Sequence, residues 1–211
     1  MAEREKSALY PGATWAECIE LIKKISSFNL KAVSYQELAK KYGLSSTTTK
    51  SFTAKIGAAK QFGLVTTAQG NTIQLTDASK QLLYPTGESV RGVELTCFAQ
   101  APLYSKLISK YDGMALPAQE LLANILMNEY RITRSVKDSA AKCFLESAEQ
   151  LELIKGGILC YTDAENEPEE PTAKQPVTEE TDIPTQVIAP PTPSAAAQVV
   201  QVPVPGEADY I

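Results

Sequence analysis

One pattern occurs twice in this chain, and it limits what the chain can fold into. Ser34-Tyr35-Gln36-Glu37-Leu38-Ala39 runs into Tyr42-Gly43-Leu44-Ser45, then a long helix-like stretch ending at Phe62-Gly63-Leu64-Val65. Further on, Gln119-Glu120-Leu121-Leu122-Ala123 leads to Tyr130-Arg131-Ile132-Thr133 and a second stretch ending at Leu151-Glu152-Leu153-Ile154. Each passage reads as short helix, tight turn, longer helix and strand: apolar residues recur at helical spacing, then β-prone residues follow. That is a helix-turn-helix followed by the first strand of a wing. The expected fold class is mainly α with small β-hairpin wings, as two tandem winged helix-turn-helix domains. They are placed at 8–85 and 88–162, with a disordered, acidic, Pro-rich tail at 163–211.

Local signals set the element ends. Thr14-Trp15-Ala16-Glu17 and Ser34 to Glu37 have capping-box form, so helices should start there. Trp15, Cys18, Ile19, Ile22 and Ile25 form the apolar stripe of the first helix. Gly43 suits the left-handed end of the second, Ser45 or Ser46 should cap the third, and Gly63 should end it. Segments 64–67 and 72–75 predict a hairpin around Ala68-Gln69-Gly70-Asn71, followed by a short helix from Thr76. Tyr84-Pro85-Thr86-Gly87 reads as an inter-domain break. Beyond it, one or two helices are expected across Val90 to Tyr111. Pro117 should lie in the first turn of the next helix. That helix should bury Leu121, Leu122, Ile125 and Leu126. A helix from about Arg134 to Leu151 should bury Ala141, Leu145 and Ala148, and Gly156-Gly157 should turn a tight hairpin.

Charge is unevenly spread. Residues 1–85 hold eleven Lys/Arg against six Asp/Glu, and residues 161–211 hold one against ten. The pI of 5.0 is therefore largely a property of the tail, and the basic first half leaves nucleic acid open as a partner. Nine of the thirteen prolines lie between Pro168 and Pro205, and no helical or strand period survives there, so the tail is expected to stay unfolded. Val199-Val200-Gln201-Val202-Pro203-Val204 reads either as a docking motif for another protein or as part of an inert solubilising tail. The tail's negative charge is expected to compete with DNA for the basic face.

The chain has no histidine, which removes the usual general base and every Ser/His or Cys/His nucleophile system. Cys18, Cys97, Cys143 and Cys160 are widely spaced, without a CxxC pair, so neither a zinc site nor any other metal or cofactor is expected. Gly156-Gly157 has no phosphate-cradling motif around it. Glu169-Glu170 and Glu179-Glu180 lie in the tail, which cannot hold acid/base geometry. The expectation is a protein that is not an enzyme. No apolar run approaches about eighteen residues and the N-terminus lacks the apolar stretch of a signal peptide. These absences, with reduced cysteines, predict a cytoplasmic protein without a membrane partner.

Ala101-Pro102-Leu103-Tyr104-Ser105-Lys106-Leu107, the segment Leu121 to Leu126 and the run from Phe144 to Leu153 carry a resemblance. They are similar to a prokaryotic family of tandem winged-helix proteins of unknown function, as is the segment from Leu75-Thr76 to Pro85. The resemblance covers most of residues 10–160 and none of the tail, through mainly structural positions. It implies the fold, and by analogy with that fold an association with DNA; it brings no catalytic residues.

With Phe52, Ile56 and Ala59 inward, the helix expected from Ser46 to Phe62 turns Thr47, Lys50, Ala54, Ala58 and Gln61 outward, with Ser51 and Lys55 on the flanks. The candidate nucleic-acid residues are Ser46, Thr47, Lys50, Ser51, Lys55 and, on the wing, Gln69 and Asn71. Lys23, Lys24, Lys31, Lys40 and Lys41 are electrostatic helpers. The face has no Arg or Asn for bidentate base contacts, so sequence readout should be weak. Ala54, Gly57 and Ala58 let another backbone come close, either a DNA strand or a partner helix. The matching face of the second domain, Val136, Ser139, Cys143, Ser147 and Gln150, has no positive charge. It reads as a protein interface, with the first domain or with a second subunit, and a homodimer is expected over a monomer. The leading expectation is a double-stranded-DNA-binding protein with a regulatory or chromosome-associated role. The alternative is a non-catalytic scaffold that docks partners or itself.

Overall fold

Two capping boxes start the first helices where the side chains require it. A computed structural model describes residues 6–69, 71–85 and 89–166, with the side chains of 163, 165 and 166 left aside; the expectations placed on the tail beyond them lie outside the described residues. Helix α1 (Trp15–Ser26) is capped by Thr14, whose Oγ1 accepts the Glu17 amide at 3.4 Å while the Glu17 carboxylate accepts the Thr14 amide at 3.0 Å. Ser34 and Glu37 repeat that arrangement for α2 (Tyr35–Lys41). Reciprocal capping satisfies two amides that a helix start leaves without partners.

Helix α3 (Lys50–Gln61) begins later than the sequence suggests. Neither Ser45 nor Ser46 caps it, and the actual cap residue, Thr49, makes no side-chain capping bond. The cause is competition among neighbouring hydroxyls. Ser46 Oγ pairs with Thr48 Oγ1 at 2.8 Å and accepts the Thr48 amide at 3.2 Å, and Thr49 Oγ1 donates to the Ser46 carbonyl at 3.2 Å. These local bonds hold 46–49 as a turn.

Strands β2 (Val65–Ala68) and β3 (Thr72–Leu75) form the expected hairpin. A two-residue strand that the sequence does not announce, β1 (Val33–Ser34), joins it, giving an antiparallel sheet of order β1-β3-β2 with Val33 opposite Ile73. Helix α4 (Asp77–Leu83) follows, capped by Thr76. Then come α5 (Val90–Gln100), α6 (Pro102–Tyr111), α7 (Gln119–Tyr130) and α8 (Lys137–Gln150). Strands β4 (Ile154–Lys155) and β5 (Ile158–Leu159) and helix α9 (Tyr161–Asn166) complete the described chain. Gly156 and Gly157 turn the second hairpin at φ 60° and 81°, the left-handed pair that a two-residue turn requires.

Three expectations are corrected. Pro117 precedes α7 instead of entering its first turn. Leu121 is 55% exposed, while Leu122, Ala123 and Leu126 carry the buried face. Helix α8 starts at Lys137, with Ala141, Phe144 and Ala148 inward and Leu145 only partly covered.

The molecule is mainly helical with small antiparallel sheets. Element order repeats: helix, strand, helix, helix, hairpin, helix from α1 to α4, then α6, paired residues at Asp112 and Ala115 against β5, α7, α8, β4-β5 and α9. The core does not divide at the predicted break. Trp15 packs edge-on to Phe62 at 5.4 Å, Phe62 lies 5.6 Å from Tyr104, and Tyr104 meets Phe144 at 5.1 Å. Phe98 stacks between Phe62 and Phe144. Rings from both halves thus form one buried cluster, each worth about 1.5–3 kcal/mol of transfer free energy. Gly63, at φ +67°, ends α3 beneath Gln100: a Cβ there would sit 1.8 Å from the Gln100 amide oxygen.

Candidate nucleic-acid interface

Burial of Phe52, Ile56 and Ala59 fixes the rotation of α3 and leaves Lys50, Ser51, Thr53 and Lys60 exposed. The expected outward face is corrected in part. Ala58 is fully buried, and Gly12 lies over Ala54, where a Cβ on the glycine would come within 3.3 Å of the alanine's. Gln61 Nε2 donates to the Tyr10 carbonyl at 2.8 Å. The backbone that approaches Ala54 is the chain's own N-terminal segment. That segment continues to the second half, where the Ala8 amide donates to the Arg131 carbonyl at 2.9 Å and Ser7 Oγ accepts the Thr133 amide.

Lys55 is a further correction. Its ammonium pairs with Glu17 at 3.2 Å and lies 5.6 Å from the Tyr42 ring, so it is held between α1 and α3. Ser46 and Thr47 lie in the turn before α3, not on the helix; Ser46 is exposed with its hydroxyl engaged in that turn, and Thr47 is half-buried. On the hairpin, Gln69 and Asn71 are exposed; the Asn71 carbonyl accepts the Tyr35 amide at 3.3 Å, which ties the wing tip to α2.

Every carboxylate described in 6–85 is already engaged. Glu17 pairs with Lys55, Glu20 with Lys24 at 2.8 Å, and Asp77 with Lys80 at 2.7 Å, while Glu37 is spent on its cap. The hydrogen bond from Lys24 holds Glu20 below the usual carboxylate range, that from Ser34 does so for Glu37, and that from Lys80 for Asp77. Among the described residues, Lys23, Lys31, Lys40, Lys41, Lys50 and Lys60 make no ion pair with a carboxylate. Lys24, which also lies 3.7 Å over the Tyr42 ring, is the one expected helper that is committed to a carboxylate. The result is a surface on which exposed lysines outnumber the carboxylates among the described residues, suited to polyanions.

Two clefts open on this surface. One, of about 280 Å³, lies between α2 and the turn, with Gln36, Lys40, Ser45 and Ser46 in its lining. The other, of about 320 Å³, runs between α3 and the hairpin, with Tyr35, Thr47, Thr53, Gly57, Lys60 and Asn71. Lys60 Nζ donates to Tyr35 Oη at 3.1 Å. Neither Tyr35 nor Lys60 is singled out by the sequence reading, although Lys50, Thr53, Gly57 and Lys60 fall at spacings of three and four along one helix line. Gly57 stands out energetically. Its backbone is ordinary helix and a Cβ there would meet nothing within 4 Å, yet glycine in a helix interior costs roughly 0.5–1 kcal/mol relative to alanine.

The matching face of the second half is filled from within. The Trp15 amide donates to Ser147 Oγ at 3.0 Å and the Ala16 amide to Gln150 Oε1 at 2.8 Å. With Thr14 accepting from Glu17 and Cys18, the opening amides of α1 all find partners. Of the two occupants open to this face, the first half takes it. Ser147 is fully buried, which removes it as an interface for a second subunit, whereas Ser139 stays exposed and Val136 and Cys143 are partly covered. Burial, then the nearby Glu17, pushes the Cys143 thiol up to about 11. The lysines of α8 are engaged too, Lys137 with Asn124 and Lys142 with Glu146.

Cys18 and Cys97 are buried, and burial raises both thiols. Among the described residues no group of His, Cys, Asp or Glu is placed to hold a metal, and no helix is long and apolar enough to cross a membrane. Compared with protein-family models, curated proteins and solved structures, the chain matches none.

Proposed function

We propose that the chain is a non-catalytic, double-stranded-DNA-binding protein of two winged helix-turn-helix units, of which only the first reads the duplex. The observation that carries this reading is the lysine-rich face around α3, with Lys40, Lys50 and Lys60 exposed beside two polar clefts and, among the described residues, no ion pair to a carboxylate at any of the three. Lysines and hydroxyls there act on phosphates, and each lysine that neutralises one adds about 0.9 to the log–log salt slope. Among the described residues no arginine lies on the face, so positioning on the backbone dominates over base readout. The second unit, its own helix face closed by α1, acts as a buttress. A regulatory or chromosome-associated role fits binding of this kind. Anisotropy titration of the full chain against mixed-sequence duplex at two salt concentrations tests it. Micromolar binding that weakens with salt and is lost in Lys50→Glu is expected; salt-independent or absent binding removes the reading.

A second reading, a partner-docking or self-docking scaffold, draws on one observation. Met114 and Ile158, 57% and 40% exposed, lie on neighbouring paired segments of the second half. Lys50→Glu separates the two, because it leaves an apolar contact at Ile158 intact.

A further inference from the structure

We infer that the cleft between α3 and the hairpin seats one sugar–phosphate unit of a nucleic-acid strand, with Gly57 as its floor and Lys60, Tyr35 and Asn71 as its polar wall. This rests on the DNA-binding reading and goes beyond it by naming the contact. Three observations converge on the cleft. First, Gly57 is there without an internal reason: its φ is not left-handed, and no neighbour would touch an added Cβ. The fold tolerates a weaker helix former at a position of α3 that lines the cleft, and close approach of a ligand is the physical use of a missing side chain. Second, the donors that line the cleft meet no carboxylate. Lys60 gives one of its three N–H bonds to Tyr35 Oη, which leaves the other two, and the tyrosine's own O–H, free to donate. Third, Thr53 spends its hydroxyl on the Thr49 and Lys50 carbonyls at 3.3 and 3.0 Å. Its hydroxyl is therefore engaged within the helix, and the cleft that Thr53 lines holds about 320 Å³, which is more than a phosphate alone fills. The wing tip is fixed against this wall by the Tyr35–Asn71 backbone bond, so the seat is held by two elements.

Full-length wild type, Gly57→Ala, Lys60→Gln and Tyr35→Phe are compared for duplex affinity, salt slope and thermal unfolding. Gly57→Ala should raise Tm by about 2 °C, weaken duplex binding about five- to tenfold and leave the salt slope unchanged. Lys60→Gln should lower the slope by about 0.9, and Tyr35→Phe should weaken binding about threefold without altering Tm. If wild type binds duplex and Gly57→Ala binds equally well, the seat is overturned while the DNA-binding reading survives. A fall in Tm for Gly57→Ala also overturns it, since the space would then not be empty. Inorganic phosphate that stabilises wild type but not Lys60→Gln, with duplex affinity unmoved by Gly57→Ala, assigns the cleft to a free phosphate and overturns the strand. Wild type that binds no duplex removes both.

Discussion

Helices α3 and α8 occupy the same place in a repeated order of elements, yet they meet opposite fates. Around α3 the chain ties down its carboxylates and leaves lysines facing out; against α8 it lays α1 and uses Ser147 and Gln150 to cap that helix. A shared order of elements therefore does not repeat a surface. The outer face of α8 supports α1, and the shared Phe62–Tyr104–Phe144 cluster binds the two halves into one body. Lys55 and Ala58 belong to the supporting side of this comparison even though they lie on α3 itself.

The largest test of that shared core is Phe62→Ala, which should destabilise by about 3–5 kcal/mol. Both halves should be lost in a single transition, read by Trp15 fluorescence and by hydrogen exchange in α8 during urea unfolding. Separate midpoints would break the comparison. Ser147→Ala comes next, at about 1–2 kcal/mol, because it strips the Trp15 amide of its buried acceptor. Its duplex affinity should stay within twofold of wild type if α8 only supports. A smaller contrast sharpens the α3 side. Lys50→Gln should lower the salt slope of duplex binding by about 0.9, whereas Lys55→Gln should leave the slope alone and cost at most about 1 kcal/mol of stability, being a partly exposed pair.

The smallest expected effect is a pH dependence in the second half. Burial works to raise the Asp112 carboxyl, but hydrogen bonds from Thr162 and from the Tyr161 amide, the latter at 2.7 Å, outweigh it and hold the group below its ordinary value. A depressed folded pKa gives stability that is present above the unfolded value of about 3.9 and lost as pH falls through the folded one. Below about pH 4, wild-type Tm should fall more steeply than that of Asp112→Asn. Parallel curves would show that Asp112 does not anchor α9.

Much of the fold was legible because its signals are local. Thr14-to-Glu17 and Ser34-to-Glu37 bring donor and acceptor together within one turn, and Gly156-Gly157 needs only its two left-handed residues. β1 was not legible, since two residues carry no period and Val33 becomes a strand only when Ile73 lies beside it. The start of α3 was misplaced because five consecutive hydroxyl residues offer several caps, and only their mutual bonds choose among them.

For the candidate site, the sequence by itself determined the chemistry: a lysine- and hydroxyl-rich segment, no histidine, an acidic tail. It also determined that Phe52 and Ile56 turn one side of α3 inward, because helical spacing dictates that. Tertiary structure decided which residues remain available. Glu17 removed Lys55, the N-terminal segment covered Ala54, and Tyr35 was carried from another helix to stand beside Lys60. Those outcomes depend on which distant surfaces touch, and no periodicity along the chain encodes a contact between residues 25 or 132 positions apart.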